Sequence, residues 1–159
     1  MEAKDPKKAQ ALAAAACSKK ECCAKDIRTK LEKWGVDGRE TEQILDWLFR
    51  NNFLNHTRFA NAFACDKFRF GKWGKQKIAQ ALRQREVPEE AIREALSGLV
   101  EEAYDDTCIY LLKKKRESLR NPDNPLNSPG IQARLIRFAL SRGFDYDTIR
   151  RCLRKLADT

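Results

Sequence analysis

An all-α fold of three tandem three-helix repeats, stacked into an elongated, curved body, is what this 159-residue sequence predicts. Apolar residues recur at three- and four-residue spacing through almost the whole chain, the signature of amphipathic helices. Only seven Gly and five Pro interrupt that pattern, and β-branched residues are sparse, which disfavours a turn-rich sheet protein. The chain also repeats itself, at intervals of 51 and then 57 residues.

The elements follow in order. A first helix is expected over about Ala9 to Ala24, where Ala11 and Ala13 to Ala16 supply helix propensity without a sharp apolar face. Lys25 to Trp34 places Ile27, Leu31 and Trp34 on one side, and Gly35 stands where a left-handed C-cap belongs. Arg39 to Arg50 carries Ile44, Leu45 and Leu48, and Asn51 to Asn55 breaks the pattern. Asn55 or Thr57 can cap the next helix, whose Phe59, Phe63 and Phe70 mark an aromatic stripe. After the break Gly71-Lys72-Trp73-Gly74, Lys75 to Arg85 turns Ile78 and Leu82 inward. Pro88 suits the first turn of a helix reaching about Ala103, with Glu89 and Glu90 complementing its dipole. Asp105 or Asp106 should start another, running to about Leu119 and ending in Lys113 to Arg116 and Arg120. A Pro- and Asn-rich connection, 121–130, precedes two last helices, about Ile131 to Arg142 and Asp145 to Leu156.

Taking Gly35, Glu86 and Gly143 as equivalent points aligns the copies without a gap. Eight residues earlier stand Ile27, Ile78 and Leu135; four earlier, Leu31, Leu82 and Ala139. One later stand Val36, Val87 and Phe144; ten later, Leu45, Leu96 and Leu153; thirteen later, Leu48, Leu99 and Leu156. Any two amphipathic helices with a short turn align partly in this way, but three copies with matched turns indicate a repeat. A helix near Cys17, Phe63 and Leu111 completes each copy. Such a unit cannot bury its apolar face alone, so stacking is implied. The expected divisions are a flexible tail at 1–8 and repeats at 9–52, 53–103 and 104–159, the last containing the loop 121–130.

Several function classes lose support. No apolar run approaches the roughly 18 residues of a spanning helix, and the charged start lacks a secretory h-region, so a cytoplasmic protein without membrane association is expected. His56 is the only imidazole, and neither a phosphate loop nor a dinucleotide fingerprint is present, so no enzyme and no cofactor is expected. The six cysteines contain no C-x-x-C pair. Cys17 and Cys22, read on one helix, point roughly 140° apart, a poor start for a metal site. Reduced, half-buried thiols are the expectation.

The net charge of +9 is unevenly distributed. From Arg58 to Arg85 eight bases face one acid, Asp66; from Glu86 to Asp106 eight acids face one base, Arg93. Basic residues dominate again from Lys113 to Arg120 and from Arg134 to Lys155. A belt of this kind either meets phosphates, with steep salt dependence, or is a solvated surface balanced by its acidic neighbour. In Gly71-Lys72-Trp73-Gly74-Lys75-Gln76-Lys77, two glycines permit close backbone approach, and the amides opening the next helix could form an anion site. Trp73 is either a contact residue or a packing residue.

Three stretches carry a resemblance. They are Phe53-Leu54-Asn55-His56-Thr57-Arg58-Phe59-Ala60, then Phe68-Arg69-Phe70-Gly71-Lys72-Trp73-Gly74-Lys75-Gln76-Lys77-Ile78, then Leu82-Arg83-Gln84-Arg85-Glu86-Val87 with Ile92-x-x-x-Leu96. Over about residues 45–100 the chain resembles the RecX family of bacterial regulatory proteins, and more loosely so through Leu135 to Leu156. It departs from the family pattern in Glu86, which replaces a usual Gly, in the longer Gly-Lys-Trp-Gly turn, and in Asn55-His56, where acids are common. The resemblance implies an all-α protein of three three-helix repeats. It further implies a monomer that binds the RecA–DNA filament, lodges in its groove and lowers its ATPase, strand-exchange and co-protease activities, within homologous recombination and the SOS response. DNA phosphates would be contacted weakly. The family offers no catalytic residue. Charge placement selects Arg58, Lys67, Arg69, Lys72, Lys75 and Lys77 as partner- or DNA-binding residues, with Arg134 and Arg137 as a second set. The alternative is a helical module that binds nucleic acid on its own.

Overall fold

The computed structural model of the chain describes residues 5–120 and 128–158. Among the described residues there are nine α-helices and no strand: α1 Pro6–Lys19, α2 Ala24–Lys33, α3 Gly38–Arg50, α4 His56–Arg69, α5 Lys75–Gln84, α6 Glu89–Ser97, α7 Glu101–Ser118, α8 Pro129–Ser141 and α9 Tyr146–Ala157. The all-α class expected from the periodicity is what the chain adopts.

Two boundaries differ from expectation. The first helix begins at Pro6 and ends at Lys19 rather than running from Ala9 to Ala24, with Lys20 extended at φ −160° and ψ 159°. Alanine propensity marks no end; the end comes where Cys22 and Cys23 turn into the core, 7% and 3% exposed. The helix expected to run from Pro88 to Ala103 is two, interrupted at 98–100, and α7 starts at Glu101 with Val100 at its N-cap. Asp105 therefore caps nothing. It lies in the second turn of α7 and is buried for another reason, given below. Of the expected loop 121–130, residues 121–127 lie outside the described residues, Ser128 caps α8 by accepting the Ile131 N–H at 3.3 Å, and Pro129 and Gly130 are already helical. Of the expected tail 1–8, residues 1–4 lie outside the described residues.

The chain falls into two compact units, Met1–Phe63 with Ala81–Ala95, and Ala64–Gln80 with Leu96–Thr159. In the first, α1, α2 and α3 pack pairwise around Ala9, Ala13, Ile27, Leu31, Val36, Ile44, Leu45 and Leu48. Its surface is cross-linked by charge: Arg28 reaches both Glu42 and Glu86 at 3.0 Å, and Arg85 reaches Asp26 at 3.1 Å. In the second, α7, α8 and α9 pack around Tyr104, Cys108, Leu112, Ile131, Leu135, Phe144, Ile149 and Cys152.

The three points aligned in the sequence share one backbone conformation. Gly35, Glu86 and Gly143 have φ of 82°, 63° and 97°, the left-handed region that ends a helix. At each, the next residue donates its N–H back across five residues: Val36 to Leu31 at 3.0 Å, Val87 to Leu82 and Phe144 to Ala139 at 3.1 Å. This is the Schellman closure, and it hands the chain to the following helix in the same way three times. Asp37 and Asp145 then cap α3 and α9 by accepting from Glu40 N and Thr148 N. The columns eight and four residues before the turn and one after are all buried, whereas Leu96, Leu99 and Leu153 are only half-buried; the inward position is instead Ile44, Ala95 and Cys152.

Candidate functional site

The Gly71–Gly74 break does not present its amides to a ligand. Gly74 N–H donates to the Arg142 carbonyl at 2.7 Å, Gln76 N–H to the Gly143 carbonyl at 2.9 Å, and Lys75 N–H to the Tyr104 hydroxyl at 2.9 Å. The Arg142 guanidinium returns a bond to the Gly71 carbonyl at 2.9 Å. The anion site expected at the start of α5 is therefore occupied by the end of α8, whose carbonyls would otherwise lack partners. Glycine permits the contact. A Cβ on Gly74 would overlap the carbonyl of Gly143 and the nitrogen of Phe144, well inside 3.0 Å, and one on Gly71 would stand 2.7 Å from the Lys67 carbonyl. Gly74 makes room for the chain's own turn at Gly143, and Gly71 for the end of its own helix α4.

With its backbone engaged inward, this turn displays side chains. Trp73 is half-buried, and two ammonium groups stand over its indole: Lys67 at 5.1 Å and Lys77 at 4.5 Å from the ring centroid. Lys72, itself at φ 54°, stands 5.2 Å from the ring of Tyr110 on α7, and Lys114 stands 5.8 Å from the same ring. Lys75 lies 4.9 Å from the Tyr104 ring, and the Arg69 guanidinium 5.4 Å from that of Phe70. The positive charges are thus held over ring faces by the attraction of the ring quadrupoles. Phe70, expected on the aromatic stripe of this helix, lies past the end of α4 and is 75% exposed. Tyr104, beneath, is buried, and desolvation pushes its phenol up to about 12 against the Lys75 N–H, so it stays a neutral hydrogen-bonding group.

The eight predicted residues therefore separate. Lys67, Arg69, Lys72, Lys75 and Lys77 come together around this turn within one compact unit. Arg134 and Arg137 belong to the same unit but line a different groove, with Lys115, Leu119 and Phe138. Arg58 belongs to the other unit and is engaged internally: it pairs with Glu21 at 2.9 Å and donates to the Asn52 carbonyl at 2.8 Å. Tyr110 and Lys114 join the site without having been selected from sequence; their four-residue spacing on a basic helix was the available signal.

Other charges of the basic stretches also have internal roles. Asp105, 4% exposed, accepts a two-pronged bond from Arg151 at 2.9 and 2.8 Å and a third from Lys155 at 3.0 Å. The Arg151 hydrogen bonds hold its carboxyl below the usual range, overcoming the opposing effect of burial, with Lys155 adding to the shift. Both bases are thus paired within the unit. Five of the six thiols are buried and Cys65 is exposed. Cys22 is not on the helix of Cys17 but beyond its end, directed at the carbonyls of Lys20 and Ala16. Burial pushes the Cys17 thiol up to about 12, with Cys22 adding to it. His56, the first residue of α4, packs 4.7 Å from the Phe49 ring, and burial lowers its pKa. Among the described residues, no group of three or more His, Cys, Asp or Glu is placed to hold a metal, and no helix is long and apolar enough to cross a membrane.

Comparison with known proteins adds identity to this geometry. The family description "RecX, second three-helix domain" matches residues 55–96, and "RecX, third three-helix domain" matches residues 102–153. The chain is similar to the regulatory protein RecX of Chromobacterium violaceum, at 34% identity over 157 residues, covering 98% of this chain and 95% of that one. It is also similar to regulatory protein RecX of Clostridium botulinum, at 34% identity over 126 residues and 79% of this chain; there the chain spans 58% of the relative's length. Among solved structures, the crystal structure of RecX from Lactobacillus salivarius superposes with a TM-score of 0.81 at 17% identity, covering 97% of both chains. A second, described as a regulatory protein RecX, gives 0.83 at 20% identity, covering 92% of this chain and 72% of that one. At such identities the superpositions speak for the fold alone.

Proposed function

The chain belongs to the RecX family of regulatory proteins, and on that premise we propose that it binds the RecA filament on single-stranded DNA and lowers the filament's activities. The observation that carries this reading is the ring-held lysine cluster around the Gly71–Gly74 turn: Lys67 and Lys77 on Trp73, Lys72 and Lys114 on Tyr110. A lysine over a ring retains its full charge while losing side-chain freedom in advance, so meeting an acidic protein surface or a phosphate row orders less than it would with a mobile lysine. Repeats at 9–52, 53–103 and 104–159 would place Lys67, Lys72, Trp73 and Lys77 on the second repeat, and Tyr110, Lys114, Arg134 and Arg137 on the third. Arg58, already paired with Glu21, contributes less.

Titrating the DNA-dependent ATPase of the cognate RecA with this protein tests the proposal. Inhibition should saturate, weaken as salt rises and be relieved by the double variant Lys72→Glu, Lys114→Glu. No effect at or above equimolar protein would reject it. The second reading, a stand-alone nucleic-acid module, draws on Phe70 and its neighbour Arg69, which have the exposure and charge of a base-stacking platform. It predicts tight binding of bare oligothymidylate without RecA, lost on Phe70→Ala.

A further inference from the structure

We propose that the groove formed by the end of α7 and the exposed side of α8 docks a short acidic peptide segment carrying an apolar anchor, a partner distinct from nucleic acid. The groove is shallow and open, with a volume of about 500 Å³, and is lined by Lys115 of α7, its C-cap Leu119, and Arg134, Arg137 and Phe138 from α8. Each helix contributes a cation and, one turn later, an apolar side chain: Lys115 with Leu119, Arg134 with Phe138. Leu119 and Phe138 are half-buried, packed on the core of their unit on one side and open to the groove on the other. The Lys115 ammonium stands 5.2 Å from the Phe138 ring, so one wall of the apolar floor is already cationic.

Three positive charges around an apolar floor, with no carboxylate among the described lining residues, is an unbalanced arrangement. Another cleft of this unit shows the contrast: among its described lining residues Lys75 and Arg151 are matched in charge by Glu101 and Asp145. Phosphates would satisfy the three cations but leave Leu119 against water. A leucine or phenylalanine flanked by aspartate and glutamate satisfies both features, the side chain filling the floor and the carboxylates pairing with the rim. The groove does not include the Gly71–Gly74 cluster, and the inference requires no recombinase.

The test uses the full chain and a fluorescein-labelled acidic peptide of about twelve residues with two leucines one helical turn apart. Fluorescence anisotropy should show saturable binding. Reversing two rim charges, Arg134→Glu with Arg137→Glu, should weaken it by roughly tenfold or more, as should replacing both peptide leucines by serine. Lys115→Glu alone should weaken it in the same direction, and circular dichroism verifies that each variant is folded. Absence of saturable binding, equal binding of the leucine-free peptide, insensitivity to charge reversal, or tighter binding of oligothymidylate at the same groove would each overturn the proposal. The last result would identify a phosphate-binding surface instead.

Discussion

Replacing Gly74 by alanine should destabilise the protein far more than the same change at Gly38, although both glycines sit at the start of a helix. At Gly38 an added Cβ meets nothing within 4 Å. At Gly74 it would overlap the backbone of Gly143 and Phe144, so the two turns must separate by about 1 Å to reach ordinary contact distance. That displacement carries the bonds Gly74 N–H to Arg142 O (2.7 Å), Gln76 N–H to Gly143 O (2.9 Å) and Arg142 to Gly71 O (2.9 Å) toward or past the limit of useful geometry. Three such bonds at about 1 kcal/mol each suggest a loss near 3 kcal/mol. The reduced entropy of the unfolded alanine chain returns roughly 0.5 kcal/mol, leaving about 2–3 kcal/mol. For a chain of this length that is a fall in Tm of about 5–10 °C, if unfolding is two-state. Urea and thermal unfolding followed by circular dichroism would measure it. Gly38→Ala should be neutral or slightly stabilising. Equal transitions for the two variants would refute the claim that the turns are locked backbone to backbone.

Other expectations follow from the same structure. Glu86 holds a left-handed φ of 63° where the equivalent positions are glycine, so Glu86→Gly should gain about 1 kcal/mol, less a few tenths for the exposed pair with Arg28, read as a higher urea midpoint. Asp105→Asn leaves Arg151 and Lys155 without their carboxylate and should cost about 2–3 kcal/mol at neutral pH. Because the Asp105 pKa is depressed in the folded protein, its contribution is present above the unfolded carboxyl pKa and is lost as pH falls through the folded value. Urea midpoints measured from neutral to acid pH should therefore fall less steeply below about pH 4 in the variant. Asp145→Ala removes the bonds to Thr148 N–H (2.9 Å) and hydroxyl (2.6 Å) and should lower stability by about 1–2 kcal/mol in the same assay.

How much was legible in the sequence depended on range. Amphipathic period, cap residues and left-handed turns act over four or five residues, so the helices and the equivalence of Gly35, Glu86 and Gly143 were readable from spacing, and the turns at all three have the same hydrogen bonds. The family motif marked the region of the lysine cluster. Charge counting chose Arg58 equally with Lys72, yet one is tied to Glu21 and the other stands over Tyr110.

What the chain's order of residues determined by itself was the class, the repeat and the family. Tertiary structure alone decided what the Gly71–Gly74 turn does, because its Gly71 carbonyl accepts from a residue 71 positions away, and it alone made Asp105 an internal anchor, because its partner Arg151 is 46 residues away. Local rules carry no information across such separations: whether a lysine is a surface contact or a structural pair is settled by which distant helix end arrives beside it, and that is a property of packing.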